Sequence, residues 1–324
     1  MIKCCWLHSF PSSRVGAGSY MHEQIVNYRA LGVEVEPVYT PNVRKLGLAT
    51  RVHRQVLEGS YDLAHVQYGS GCGFVGSLLP LPKVLTLRGS DWYGIGPRTL
   101  AERIRDAATR TLTRASLSRY DRIISVSERI RSEVAAHVST PVDVIPSGID
   151  LSKFVPGDRS AARATLGEQD DESPWILFSS AAEDSPVKRY SLARAAVDLL
   201  RHEYPGATIK KMTGVARSLV PTFVASCDVI LLTSVHEGWP NIIKEGLACN
   251  VPFVSTDVGD LHELARRTPS CHVVEPTAEA LAGALSRSLK EGHPELRHLV
   301  ESMDAEETAR LTTEVYRTCL RDAS

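Results

Sequence analysis

Short runs of apolar and β-branched residues alternate along the chain with longer stretches that have helical spacing. The runs predict six strands in the first half and five in the second. Because strands that alternate with helices favour parallel sheets, and the alternation occurs twice, the sequence predicts an α/β fold of two doubly wound, Rossmann-like domains facing each other across a cleft. The predicted strands are 2–8, 33–39, 62–67, 83–88, 122–126, 142–145, 175–179, 207–211, 228–234, 251–255 and 271–274.

The predicted domain boundary lies in "IPSGIDLSKFVPGDRS", residues 145–160, where Pro, Gly, Ser and Asp are frequent and periodicity lapses. We therefore expect an N-terminal domain over 1–150 and a second domain over 151–304. The last stretch, 305–324, is expected to form a helix that packs back toward the N-terminal domain. Ligands of doubly wound sheets bind beyond the carboxyl ends of the strands, so the cleft is the expected site.

Composition is that of an ordinary soluble protein, with 43% hydrophobic and 23% charged residues in 324. No apolar run approaches the roughly 20 residues that cross a bilayer. The N-terminus lacks the pattern of a signal peptide, and seven scattered cysteines favour reduced thiols, so a cytoplasmic location is expected.

Charge is distributed unevenly although the net charge is only −1. Residues 1–158 hold 19 Lys and Arg against 14 Asp and Glu (+5), whereas 159–324 hold 18 against 24 (−6). The segment 97–131 alone carries nine arginines. The positive charge of the first half is therefore concentrated in one segment.

A strand–turn–helix segment carries the strongest candidate chemistry. The apolar run "DVILLTS" ends just before Glu237, Gly238 permits a close turn, and Asn241 falls at the start of the next helix, as N-cap or in the first turn. Free amides at that helix start favour a phosphate. Glu245 shares a helix face with Asn241 and needs a partner, for which a ribose diol is a natural choice. An ordinary strand–turn–helix with a surface Glu remains the alternative.

Three other loops follow predicted strands. In "SPVKRY", Lys188 and Arg189 are placed to neutralise a diphosphate, with a solvated basic loop as the alternative. In "SSRVGAGSY", Gly16 and Gly18 allow close approach of a phosphate, but the spacing is not GxGxxG, which argues against a dehydrogenase. In "TLRGSD", Arg88 is placed to bind an anion or to pair with Asp91.

Together these motifs resemble those of the family 4 retaining glycosyltransferases, which have the two-domain B-type fold. "HEGWPNIIKEGLACNVPFVSTDVGD" resembles the E-x7-E signature of the family with its helix, strand and Gly-Asp turn. "IPSGIDLSKF" is similar to the hinge motif of the family, with Ser147 where Asn is usual. The resemblance covers nearly the whole chain, strongly over 210–265, and is nearest to bacterial enzymes that build cell-surface polysaccharides.

The resemblance implies retaining, metal-independent transfer of a hexose from a nucleoside diphosphate, with uridine as the expected base and no bound cofactor. Glu237 would contact the donor sugar, and Lys188 would stabilise the departing diphosphate. We add Arg88 to this catalytic set as a candidate of our own. The acceptor hydroxyl would belong to a glycan, a lipid-linked molecule or a small molecule. Taken together, the residues and the resemblance give the donor-binding set Gly16, Gly18, Arg189, Gly238, Trp239, Pro240, Asn241, Ile242 and Glu245.

Two positions depart from the family pattern. Arg88 stands where the family usually has His, and Ser179-Ser180 stands where Gly-Arg is usual, which removes one expected cation. We expect Arg189 or Arg88 to compensate for that charge.

The arginine-rich segment is expected on the acceptor side. It would hold a lipid-linked pyrophosphate or contact anionic lipids at the inner face of the membrane. A solvated helix face is the alternative, because Glu102, Asp106, Asp121 and Glu128 interleave with the arginines. Nucleic acid is not an expected partner, because aromatic residues do not alternate with the charges.

Two other functions stay open at the level of the sequence. A non-catalytic partner subunit would keep the fold and the nucleotide site, and a nucleotide-sugar isomerase would convert the donor with no acceptor present.

Overall fold

The computed structural model describes residues 1–9, 19–40, 46–96, 99–169, 172–180, 185–292 and 294–323. The chain divides into two compact units. Unit 1 consists of Met1–Gly148 together with Ala305–Ser324, and unit 2 is Ile149–Asp304. Each unit is built on one parallel sheet, as the alternation of strands and helices predicts.

Unit 1 contains a six-stranded sheet in the order β2-β1-β3-β4-β5-β6. The order reverses between β1 and β3, since the chain goes to one side after β1 and to the other side from β3 onward. The strands are β1 (Ile2–His8), β2 (Val33–Tyr39), β3 (Leu63–Val66), β4 (Lys83–Leu87), β5 (Arg122–Ser125) and β6 (Val142–Val144). The helices between them are α1 (Ser19–Ala30), α2 (Leu46–Glu58), α3 (Ser70–Ser77), α4 (Ser90–Tyr93), α5 (Leu100–Ser116) and α6 (Glu128–Ala135).

Unit 2 contains a five-stranded sheet in the order β11-β10-β9-β7-β8. Here the order reverses between β7 and β9. The strands are β7 (Trp175–Ser179), β8 (Thr208–Met212), β9 (Val229–Leu232), β10 (Phe253–Ser255) and β11 (His272–Val273). The helices are α7 (Arg159–Thr165), α8 (Tyr190–Leu200), α9 (Val220–Ala225), α10 (Asn241–Ala248), α11 (Leu261–Ala265) and α12 (Ala278–Glu291).

The last helix, α13 (Ala305–Asp322), belongs to unit 1. Its side chains Tyr316 and Cys319 are fully buried in the same core cluster as Cys4 and Trp6 of β1. The indole Nε1 of Trp6 donates to the hydroxyl of Tyr316 over 2.9 Å. The first strand and the last helix are therefore joined by both apolar and polar contacts.

The prediction of two doubly wound domains is confirmed, with small differences at strand ends. The strand predicted at 228–234 ends at Leu232. The carbonyls of Thr233 and Ser234 accept hydrogen bonds from the side chain of Arg189 instead of continuing the ladder. A long-range side chain thus ends the strand, which local propensity does not encode.

Candidate active site

Two loops of unit 2 lie where the strand order reverses. The first follows β7 and carries Lys188 and Arg189 immediately before α8. The second follows β9, the neighbour of β7 in the sheet, and carries Glu237 before α10 begins at Asn241. Ligands of doubly wound sheets bind at this kind of switch point, beyond the carboxyl ends of the strands.

Side chains bind the two loops to each other. The Thr233 hydroxyl donates to the carbonyl of Lys188 over 2.6 Å, and the Arg189 guanidinium donates to the carbonyls of Thr233 and Ser234 over 2.6 and 2.9 Å. Hydrogen bonds thus run in both directions between the loops. As a result, the loop that carries Lys188 is fixed relative to the loop that carries Glu237.

The predicted residues Lys188 and Glu237 contact each other. Lys188 Nζ lies 2.5 Å from Glu237 Oε1, and the side chains are 23% and 19% exposed. The Ser234 hydroxyl donates to the same carboxylate oxygen over 2.7 Å. A cation and a carboxylate therefore stand together at the edge of the sheet, both within reach of a ligand from solvent.

Arg189 is held by the neighbouring loop. Its backbone is left-handed, with φ of 48°, and its guanidinium is half-buried against the two carbonyls of the neighbouring loop. Burial lowers the pKa of this guanidinium from its usual value. The structure gives Arg189 a role in joining the loops, and its predicted contact with phosphate stays a prediction.

The turn into α10 is closely packed. Gly238, Trp239 and Pro240 are buried, Pro240 occupies the N-cap position, and Asn241 is the exposed first residue of the helix. The alternative in which Asn241 lies in the first turn is therefore the observed one. Ile242 and the residues after it, through Ala248, are buried, so the helix is anchored along its length.

A second turn supports the first from behind. Gly259 has φ of +53°, and a Cβ at this position would lie 2.8 Å from the carbonyl oxygen of Gly238. Only glycine fits, because both the conformation and the distance exclude a side chain. This explains why the Gly-Asp turn accompanies the E-x7-E segment.

Glu245 is buried, with 5% exposure, and its carboxylate has a protein partner. Arg217 Nη1, in the segment after β8, lies 3.3 Å from Glu245 Oε1. A buried carboxylate needs such compensation. Arg217 is not among the site residues predicted from the sequence, although its place after a strand of the same sheet is a signal that could identify it.

Arg88 follows β4 in unit 1, and its guanidinium is held by hydrogen bonds within that unit. Its guanidinium contacts the carbonyl of Gln67 at 2.9 Å, the side-chain Oε1 of Gln67 at 2.6 Å and the hydroxyl of Ser147 at 2.7 Å. The Asp91 carboxylate accepts from the backbone N–H groups of Arg88 and Gly89 at 3.0 and 2.9 Å. Arg88 thus contacts Ser147, the residue that replaces the usual Asn in the hinge motif.

The cavity beside Arg88 is small. Its volume is about 30 Å³, enough for about one water molecule and too little for a sugar. The predicted residues Gly16 and Gly18 lie outside the described part of the chain.

The arginine-rich segment runs through helix α5, β5 and the start of α6, and four of its nine arginines lie on α5. Arg105 and Arg110 pair with acids on the same helix, Glu102 at 3.9 Å and Asp106 at 3.2 Å. The same helix leaves large apolar side chains in solvent. Leu100 and Ile104, one turn apart, are 74% and 64% exposed, and Ile95 just before the helix is 52% exposed.

Among the described residues, no helix is both long and apolar enough to cross a bilayer. Within the same residues, no group of three or more His, Cys, Asp or Glu side chains is arranged to hold a metal ion.

Family models match both units of the chain. Residues 12–153 match Glycosyltransferase Family 4, and residues 184–291 match Glycosyl transferases group 1. The second match includes Lys188, Glu237 and Glu245.

Curated relatives are similar at moderate identity. The chain is 25% identical over 243 residues to TuaC of Bacillus subtilis (strain 168), named as a teichuronic acid biosynthesis glycosyltransferase, covering 70% of this chain and 61% of TuaC. It is 27% identical over 194 residues to a D-inositol 3-phosphate glycosyltransferase of Mycobacterium avium (strain 104), covering 50% of this chain and 46% of that protein. The chain thus spans less than two thirds of the length of these relatives.

Solved structures share the fold over the whole chain. A sucrose-phosphate synthase from Thermosynechococcus elongatus superposes with a TM-score of 0.77 at 18% identity, covering 100% of both chains. HepE from Anabaena, crystallised with UDP-glucose, superposes with a TM-score of 0.76 at 16% identity, covering 98% of this chain and 100% of HepE. At these identities the likeness describes the fold.

Proposed function

Because the chain belongs to the family 4 glycosyltransferases, we propose that it transfers a hexose from a nucleoside diphosphate to an acceptor hydroxyl, with the anomeric configuration retained. The observation that carries the proposal is the pair formed by Lys188 and Glu237 at the switch point of the unit 2 sheet, 2.5 Å apart. The proposed donor is a uridine diphosphate hexose. UDP-glucose in HepE, which has the same fold, supports that choice.

In the proposed mechanism, the ammonium group of Lys188 stabilises the negative charge of the departing diphosphate. As the bond between the anomeric carbon and the phosphate oxygen breaks, negative charge grows on the diphosphate. A preorganised ammonium group beside that charge lowers the barrier, and the free amides at the start of α10 add to it. These groups are proposed to make a metal ion or other cofactor unnecessary.

Glu237 is proposed to accept hydrogen bonds from the donor sugar, and Glu245 from the ribose. Burial of Glu245 beside Arg217 supports a binding role for this carboxylate, because a hydroxyl pair can share it with the guanidinium. Glu237 is not proposed as a nucleophile. Retention would follow from attack of the acceptor on the face that the diphosphate leaves.

The proposed acceptor is a precursor of a cell-surface polysaccharide or glycoconjugate, which the name of the relative TuaC supports. We propose that α5 carries the protein to the cytoplasmic face of the membrane. Leu100 and Ile104 are exposed there, and Arg103 lies between them on the surface. Each cation near an anionic surface contributes about 1 kcal/mol of attraction.

A panel of nucleotide sugars tests the donor. Calorimetry is expected to detect binding of at least one uridine diphosphate hexose, and binding is expected to weaken at least tenfold in Lys188→Ala. The matched control is Lys290→Ala, because Lys290 lies on α12 with 62% of its side chain exposed. Failure of every nucleoside diphosphate sugar to bind the unmodified chain would overturn the proposal.

Product analysis with the best donor tests the reaction. NMR of the product is expected to give the anomeric configuration of the donor, and inversion would refute the retaining mechanism. Conversion of the donor without an acceptor would indicate an isomerase. Binding with no turnover across a broad acceptor panel would indicate a non-catalytic partner subunit.

Sedimentation with vesicles tests the membrane contact. Binding is expected to vesicles that contain phosphatidylglycerol and to be lost in the double variant Leu100→Asp/Ile104→Asp. Val26→Asp is the control, because Val26 is a 70% exposed apolar residue on α1. Equal sedimentation with neutral and anionic vesicles would contradict a membrane role.

A further inference from the structure

Ser234 lies in the loop after β9, three residues before Glu237, and no motif draws attention to it. We propose that Ser234 is a positioning residue, which holds the Glu237 carboxylate so that one of its oxygens is presented to the donor sugar. The inference rests on the proposed function of this site and adds a residue to it.

The hydroxyl of Ser234 is committed to Glu237. It lies 2.7 Å from Glu237 Oε1, and because an ionised carboxylate only accepts, the hydroxyl is the donor. Ser234 is fully buried, with 0% exposure. A hydrogen bond from a buried neutral donor to a charged acceptor is of the stronger kind.

The backbone of Ser234 is held as well. Its carbonyl accepts from the Thr256 hydroxyl at 2.6 Å and from Arg189 Nη2 at 2.9 Å. Thr256 follows β10 and is itself buried, so Ser234 is anchored from the strand on one side of β9 and from the loop on the other. The Ser234 hydroxyl is therefore held in a fixed position, from which it can orient the Glu237 carboxylate.

Both donors reach the same oxygen. Ser234 Oγ and Lys188 Nζ contact Glu237 Oε1 at 2.7 and 2.5 Å. Within the described part of the chain, the hydrogen bonds of this carboxylate are thus concentrated on Oε1. The second oxygen, Oε2, is left to accept hydroxyl groups of a sugar.

The arrangement has a consequence when the donor binds. A diphosphate draws Lys188 toward itself, which removes one of the two bonds to Oε1 and places new negative charge near Glu237. The bond from Ser234 does not involve the diphosphate and so persists. It keeps the carboxylate in place while its cationic partner is shared with the phosphates.

The variant Ser234→Ala removes this bond and leaves Lys188 intact. The matched control is Ser288→Ala, because Ser288 is also fully buried in unit 2 and its hydroxyl donates over 2.8 Å to a backbone carbonyl, that of Ser270. Dissociation constants for UDP and for UDP-glucose are measured by calorimetry, and kcat and KM are measured with the best donor and acceptor. If Ser234→Ala does not fold, Ser234→Cys replaces it, since a thiol is a weaker donor of similar size.

We expect Ser234→Ala to bind UDP within twofold of the unmodified chain. The additional affinity contributed by the glucose is expected to fall, and kcat is expected to fall about ten- to one-hundredfold, as for one lost hydrogen bond to a charged group. Ser288→Ala is expected to leave kcat and the ratio of the UDP and UDP-glucose dissociation constants unchanged. A role in packing alone would lower UDP affinity and thermal stability together with kcat.

Two results would overturn the inference. One is that Ser234→Ala keeps its kcat within twofold of that of the unmodified chain, and likewise the ratio of its dissociation constants for UDP and UDP-glucose. The other is an equal loss of affinity for both ligands. If the unmodified chain binds neither ligand, the proposed function fails first and this inference falls with it, whereas normal binding with an unaffected variant overturns only the role of Ser234.

Discussion

A buried histidine in unit 1 makes the stability of the protein depend on pH. His65 is 3% exposed. Its Nε2 lies 2.7 Å from the Thr86 hydroxyl, and its Nδ1 lies 2.5 Å from the Tyr316 hydroxyl and 3.0 Å from the Gln67 side-chain nitrogen. Because Gln67 Oε1 accepts from Arg88, the amide nitrogen of Gln67 must face Nδ1 of His65. His65 Nδ1 therefore accepts and Nε2 carries the hydrogen, which is the neutral form.

Protonation of His65 would place a new N–H against the Gln67 amide and a charge near Arg88. Burial, followed by the charge of Arg88, lowers the pKa of His65 to about 3. The unfolded chain has a histidine pKa of about 6.5. Since the native pKa is the lower one, the unfolded chain binds the proton first, and stability falls as the pH falls below 6.5 and levels off below about 3.

The magnitude follows from the difference in pKa. Each pH unit between the two values changes the free energy of unfolding by about 1.4 kcal/mol. At pH 5 the loss relative to pH 7.5 is about 2 kcal/mol for this one group, and at pH 3 it is about 4 kcal/mol.

Urea unfolding of the unmodified chain and of His65→Gln, at pH values from 7.5 to 5, isolates this contribution. Other titrating groups cancel in the difference between the two proteins. The stability of the unmodified chain relative to the variant is expected to fall by about 2 kcal/mol over this range. A constant difference, or an imidazole signal of His65 that titrates between pH 6 and 7 in the native protein, would refute the reasoning.

Three other predictions concern packing. Gly259→Ala is expected to lower thermal stability and donor affinity by at least about 1 kcal/mol each, because the added Cβ meets the carbonyl of Gly238 and the backbone has a positive φ. The control is Gly157→Ala, because a Cβ at Gly157 has open space around it. Equal losses in the two variants would contradict this prediction. Asp228→Asn is expected to destabilise unit 2 by about 3–5 kcal/mol in urea unfolding, because it removes the negative charge that lies 2.7 Å from the fully buried guanidinium of Arg163. A loss below about 1 kcal/mol would argue against it. The seven buried cysteines, whose thiol pKa values burial raises, are expected to resist a thiol reagent at pH 8 until the protein is denatured, and rapid labelling of the native protein would contradict the burial.

The sequence predicts the fold well because the signal is local. Apolar runs of strand length recur with Gly-rich turns between them, and parallel strands buried on both faces need little else to be recognised. The same local signal places Glu237 after a strand and Asn241 at a helix start. Both positions agree with the structure.

The partners of the site residues are not local, and the sequence does not predict them. Arg217 and Glu245 are 28 residues apart, and Lys188 and Glu237 are 49 apart. Neighbouring cations also diverge, because the left-handed backbone of Arg189 directs its side chain to the loop after β9 while Lys188 reaches Glu237. Composition and spacing contain no information about that choice.

The interior of unit 1 shows the same limit. The sequence predicts that Arg88, at the end of a strand, binds an anionic ligand or pairs with Asp91. In the structure its guanidinium orders Gln67, and through it His65, while Asp91 accepts backbone N–H groups. Donor binding by Arg88 stays a prediction, and unchanged donor affinity and turnover in Arg88→Ala would refute it.

The proposed mechanism depends most on the joint action of Lys188 and Glu237 on the bound nucleotide sugar. Single-turnover rates for Lys188→Ala, Glu237→Gln and the double variant, with the donor that binds best, measure this directly. Each single change is expected to lower the rate at least a hundredfold. The double variant is expected to be at most about tenfold slower than the slower single variant, because the effects of coupled residues are not additive. Rates within fivefold of the unmodified chain for either single variant would contradict it.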